Sequence, residues 1–190
     1  MNVNKLTNQL VENNIISEDD KEIYAYGLSI AGHNLLILAI MAVIALLLKS
    51  LDIMLIFCLS YIPLRKFAGG FHQSTRFRCL LTSELTFLAV ALLVMLADKL
   101  TAAYISMPLL LLFSTVVIFI KAPIDSVNRR INAAQTAKYR KKSIIILCIL
   151  LFVTGILSFF GLVRYAFALT LSITVEGVLL LIPERIHKGD

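Results

Sequence analysis

Residues 28–48 read LSIAGHNLLILAIMAVIALLL, twenty-one positions without an Asp, Glu, Lys or Arg. As an α-helix this stretch is about 31 Å long, close to the thickness of a bilayer's hydrocarbon core. Four further runs share its character: 80–97, 103–120, 143–163 and 165–182. A sixth, 51–64, is shorter, about 21 Å by the same rise, and contains Pro63. It spans by extending through Ala68, by tilting, or by being partly shielded by neighbouring helices. The chain is 59% hydrophobic over 190 residues, with mean hydropathy +0.87. Because that excess lies in long uncharged runs, it signals membrane-spanning helices. The reading is all-α: a polytopic membrane protein of six transmembrane helices.

Working outward, residues 3–16 place Val3, Leu6, Leu10 and Val11 near helical spacing, as in a short amphipathic interfacial helix. Ser17 and Asp20 resemble a capping box, so a second helix is expected to start near Glu18 and run into the first span. The first 26 residues carry Glu18, Asp19, Asp20 and Glu22, unlike the basic start and apolar core of a signal peptide, and no cleavable leader is expected.

Six spans put both termini on one side. That side holds Lys5, Lys21, Arg65, Lys66, Arg76, Arg78, Lys121, Arg129, Arg130, Lys138, Arg140, Lys141, Lys142, Arg185 and Lys188; the other holds Lys49, Lys99 and Arg164. Fifteen against three makes the first side cytoplasmic in a cell membrane. The net charge of +6 is then a topology signal, and nucleic acid is not expected as a partner. The outer loops, 49–50, 98–102 and Arg164, are too short for an external receptor domain. The chain reads as a single membrane-embedded domain over 1–190, with a cytoplasmic and interfacial N-terminal segment (1–27), a loop at 65–79 and a basic loop at 121–142.

Three cysteines are too few and too scattered for a disulfide framework, and Cys58 and Cys148 read as small hydrophobes inside spans. Cys79 differs. It ends the segment Arg65-Lys66-Phe67-Ala68-Gly69-Gly70-Phe71-His72-Gln73-Ser74-Thr75-Arg76-Phe77-Arg78-Cys79. A Cys–His pair is the minimal unit of thiol catalysis: the imidazole takes the thiol proton and the thiolate attacks a carbonyl. Arg76 and Arg78 favour the thiolate, and Ser74 or Thr75 is suited to cap the third span. Cys79 then lies one turn inside, where the helix dipole fades. In one straight helix His72 and Cys79 would be about 10.5 Å apart along the axis, so the chain must fold back between them. Gly69 and Gly70 permit that turn, and their N–H groups are candidate oxyanion donors. The alternative, that they only turn the chain, stands beside it.

These residues resemble the AgrB-type membrane cysteine endopeptidases of Gram-positive quorum-sensing systems. The shared pattern is Arg65, then Gly69-Gly70-Phe71-His72, then Cys79 seven residues after the histidine. A second matching region is Lys121-Ala122-Pro123-Ile124-Asp125-Ser126-Val127-Asn128-Arg129-Arg130, with a basic stretch to Lys142. The resemblance implies a cut that removes the charged tail of an AgrD-like precursor. The remainder is held as a thioester and cyclised to a thiolactone or lactone. His72 would be the base and Cys79 the nucleophile, with Arg65 in support. The resemblance also implies a homodimer and a bacterial cell membrane. Lys121, Arg129 and Arg130 are candidate binders of the precursor's acidic tail; as a topology signal the same loop would also meet anionic lipid.

Glu84 and Glu176 interrupt apolar runs. A charged carboxylate at mid-membrane costs at least about 2.5–3.5 kcal/mol on insertion scales, so each needs a partner, a proton or a wet cavity. Glu84 is read as a structural interhelical bond or as a residue orienting catalysis. Glu176, with Thr170, Ser172 and Thr174 nearby, is read as a buried polar helix contact. The phosphate-loop, HExxH and cofactor fingerprints are missing, and no metal or cofactor is expected. The alternative is a small multi-pass peptide transporter or exporter without covalent catalysis. It explains the helices and the buried acids, but not a Cys behind a Gly-Gly-x-His loop.

Overall fold

The computed structural model describes residues 3–70, 75–124 and 132–182. These form α1 (Val3–Glu12), α2 (Lys21–Leu47), α3 (Leu51–Ala68), α4 (Arg76–Lys99), a 3-10 helix (Thr101–Ser106), α5 (Met107–Lys121), α6 (Ala133–Phe159) and α7 (Val163–Leu181). Strands are absent among the described residues. The chain divides into two compact units, residues 1–43 and 44–190.

In the first unit α1 is amphipathic, and two residues past its end the chain turns at Asn14, whose φ of 55° is a left-handed conformation that Asn tolerates. Ser17 Oγ donates to Asp20 Oδ2 (2.7 Å) and accepts from the Asp20 N–H (3.2 Å). The expected cap is therefore made, but residues 18–20 form a turn and α2 starts at Lys21 rather than near Glu18.

In the second unit α7 is the central helix and packs on α3, α4, α5 and α6. Of its apolar window 61% is buried, against 22–28% for the spans of α4, α5 and α6. Small residues allow this crowding: Ala166, Ala168, Thr170 and Ser172 are buried, and a Cβ on Gly177 would stand 3.2 Å from Ser114 Cα of α5. Ser114 Oγ also donates to Thr174 Oγ1 at 3.0 Å. The outward faces are apolar, with Leu81, Leu85, Leu92 and Leu96 on α4 and Ile145, Ile149, Phe152 and Ile156 on α6 exposed at helical spacing. Surfaces of that kind suit lipid and not water.

Among the described residues five helices are long and apolar enough to cross a membrane: α2, α4, Tyr104–Lys121, α6 and α7. α3 is not among them. It does extend through Ala68, as its length required, reaching about 27 Å. However, it carries Asp52 in its first turn and Arg65 and Lys66 in its last.

Two boundaries differ from expectation. α6 stops at Phe159, and residues 160–162 turn the chain through Gly161 (φ 73°), with Leu162 N–H bonded to Leu157 O at 2.8 Å. Arg164, expected in the outer loop, therefore lies in the first turn of α7. There Arg164 Nη1 pairs with Asp98 Oδ2 at 2.9 Å and Nε with Asp52 Oδ2 at 3.7 Å, while Tyr104 donates to Asp98 Oδ1 at 2.8 Å. The expected loop 121–142 is also shorter than its charges suggested. Asn132 and Gln135 form a reciprocal capping box, and residues 133–142 are the first turns of α6.

Candidate active site

The other end of the second unit gathers the ends of α3, α5 and α7 and the start of α4. α3 terminates because Gly69 takes φ 78°, ψ −142°, a conformation almost confined to glycine. Gly70 follows at φ 106°. The N–H of Gly69 is bonded to Arg65 O at 3.1 Å, so it caps the helix and is not available as an oxyanion donor. A second reason for glycine is contact: a Cβ on Gly69 would collide with the backbone carbonyl oxygen of Ile124.

That contact joins the two sequence motifs. Ile124 N–H donates to Ala68 O at 3.0 Å, and Gly69 and Ile124 form a parallel bridge. The turn rests on an apolar cluster of Leu64, Ala68, Ile118, Ala122, Leu147, Leu169, Ile173 and Leu180, drawn from α3, the end of α5, α6 and α7. Sequence spacing alone could not pair residue 69 with residue 124.

Arg65 lies under the turn. Its Nη1 donates to Gly69 O at 2.7 Å and stands 3.6 Å from Glu176 Oε2 of α7. Gly70 is buried, and a Cβ there would meet Arg65 Nη1 at 2.5 Å and Leu180 Cδ2 at 3.2 Å. Glu176 is buried and makes a polar contact between helices, as read from the sequence, but its partner is Arg65, which the sequence does not name, and not the nearby hydroxyls of α7. Those hydroxyls instead bond carbonyls four residues back: Thr170 to Ala166, Ser172 to Ala168 and Thr174 to Thr170. A signal was present, since Arg65 lies three residues from the end of α3 and Glu176 five from the end of α7, at similar depth.

α4 restarts at Arg76, so no single helix joins Ser60 to Cys79. Thr75 is the N-cap, with Oγ1 accepting from Arg78 N–H at 3.3 Å. The Cys79 N–H bonds Thr75 O at 3.0 Å, which fixes the cysteine one turn into the helix, half-buried and with a free thiol. Arg76 and Arg78 are exposed beside it. Tyr61 of α3 lies within electrostatic range of Arg65, Glu176 and Cys79. His72, Arg129 and Arg130 lie outside the described residues, whereas Lys121 is the exposed last residue of α5.

Glu84 is 6% exposed, and its carboxylate has no hydrogen-bond partner among the described residues. It lies within electrostatic range of Cys58. Five residues along a helix amount to about 7.5 Å and about 140° of rotation, so Glu84 and Cys79 occupy different faces of α4. Among the described residues no group of three or more His, Cys, Asp or Glu could hold a metal ion.

Fold and site define an integral membrane protein of apolar helices, with a thiol and several cations at one end of a helix bundle. The chain belongs to the AgrB family: the family model, accessory gene regulator B, matches residues 3–180. Membership gives it the accessory-gene-regulator role in processing an autoinducing peptide at the membrane, with an AgrD-like peptide as substrate. No curated protein and no solved structure matches the chain.

Proposed function

We propose that the protein is a membrane cysteine endopeptidase and that Cys79 is its nucleophile. His72 accepts the Cys79 thiol proton, and the thiolate attacks the carbonyl at the junction between the precursor's ring-forming segment and its tail. The C–N bond breaks, the tail amine takes the proton from His72, and the remainder stays on Cys79 as a thioester. An internal Cys or Ser of the peptide then attacks that thioester and frees Cys79. The product is a thiolactone or lactone.

The observation that carries this reading is the break at Gly69. A straight helix would hold residues 72 and 79 about 10.5 Å apart along its axis. Ending α3 at Ala68 and restarting at a Thr75 cap removes that obstacle, and Cys79 is left in the first turns of α4 beside Arg76 and Arg78. In the same reading α3 is the sixth span and both termini are cytoplasmic. α1 lies in the membrane interface, and the whole chain acts as one peptidase domain. Lys121, Arg129 and Arg130 draw in the acidic tail. Glu84 lies on a different face of α4 from Cys79, which speaks against the orienting role read for it, and its carboxylate makes no interhelical bond among the described residues. Homodimerisation belongs to the proposal.

The test is cleavage of an AgrD-like precursor by the full chain in vesicles. Cys79→Ala and Cys79→Ser are expected to abolish tail release with normal accumulation, while Cys58→Ala and Cys148→Ala keep it. Tail release by Cys79→Ala would end the proposal.

A further inference from the structure

Glu176 is 0% exposed in the middle of the bundle. The hydroxyls of its own helix bond backbone carbonyls instead of the carboxylate. Its ion-pair partner is Arg65, 3.6 Å away across the α3–α7 contact. A buried carboxylate in a membrane protein is costly, and evenly packed apolar helices would not require one. The charge that Glu176 faces is the Arg65 guanidinium.

Arg65 bonds the chain at the turn. Its Nη1 donates to Gly69 O at 2.7 Å, and the same nitrogen faces Glu176. Gly70 leaves room for the guanidinium, since a Cβ there would stand 2.5 Å from it. Without a charge behind it, a four-bond arginine side chain has many rotamers. The ion pair with Glu176 restricts those rotamers and so helps hold the guanidinium against the carbonyl of Gly69.

We propose that Glu176 is a positioning residue: through Arg65 it sets the geometry of the Gly69–Gly70 turn, and thereby the approach of the base to Cys79. This rests on the assignment of His72 and Cys79 above. Glu176 touches neither substrate nor thiol and acts only through the arginine.

The experiment uses the full chain in vesicles, in a Cys58→Ala, Cys148→Ala background so that Cys79 is the single thiol. The rate of Cys79 alkylation by iodoacetamide is followed against pH, alongside kcat and KM for an AgrD-like precursor. Glu176→Gln keeps the shape and removes the charge. It is expected to lower kcat about 10- to 100-fold, with KM within about threefold. Its alkylation profile should move to that of His72→Ala. Arg65→Lys keeps the charge opposite Glu176 but lacks the planar fork, and the same signature is expected. If Glu176→Gln fails to accumulate, Arg65→Lys decides alone.

Wild-type kcat and an unmoved alkylation profile in an accumulating variant would overturn the proposal, leaving Glu176 a packing residue. Failure of the underlying assignment looks different. In that case His72→Ala itself leaves the profile unchanged, or Cys79→Ala still cleaves.

Discussion

Replacing Gly69 with alanine perturbs the turn at its tightest point. The added Cβ would collide with Ile124 O and stand 3.3 Å from Ile124 C, both backbone atoms that cannot rotate aside. The residue would also have to keep φ 78°, ψ −142°, which costs a non-glycine residue about 1–3 kcal/mol. Relieving the clash means moving Ile124 away and losing its bond to Ala68 O, worth about 1 kcal/mol. The sum is about 2–4 kcal/mol against the seated turn, and about 3 kcal/mol is about a hundredfold in its population. If only the seated turn is active, turnover of an AgrD-like precursor should fall about a hundredfold. The control is Gly155→Ala in α6, where an added Cβ meets nothing within 4 Å; it should be neutral or stabilising by up to about 1 kcal/mol. Precursor cleavage per molecule, with Tm in detergent for both variants, checks this. Turnover of Gly69→Ala within about twofold of wild type would refute the reasoning, because neither the strain nor the tether would then matter.

Gly177→Ala should lower Tm, since its Cβ would press on Ser114 at 3.2 Å and overpacking costs about 1–3 kcal/mol. Arg164→Ala removes the pairs to Asp98 and Asp52 at the opposite end of the bundle; being partly exposed they are worth at most about 1 kcal/mol, so Tm should move little and turnover not at all. Neutralising Arg129 and Arg130 together should raise KM for an acidic-tailed precursor but not for a neutral-tailed one, and added salt should mimic it because the Debye length is about 8 Å at physiological ionic strength. Equal losses for both tails would leave those arginines a purely topological role.

The long apolar runs made the helices legible, because hydropathy reports lipid contact directly. Their ends were less so. Gly161 and the Asn132–Gln135 box carry local signals that an apolar run masks, so the run 143–163 leaves out the first ten residues of α6 and extends past its turn. The break before Cys79 followed from arithmetic on a straight helix, and Gly69 supplies it. What spacing could not give was anything across the bundle. The bridge from Gly69 to Ile124 and the pairing of Arg65 with Glu176 depend on which helices become neighbours. The number of charges in α3 likewise leaves its role as a span to be argued from topology rather than hydropathy.

The most direct measurement of the central assignment is the mass of the intact chain after rapid mixing with an AgrD-like precursor and acid quenching, followed by peptide mapping. The account predicts an adduct equal to the precursor without its tail, located on Cys79, released by hydroxylamine and missing from Cys79→Ala. Tail release at the wild-type rate with no adduct on Cys79 at any time, or an adduct mapped to Cys58 or Cys148, would contradict it.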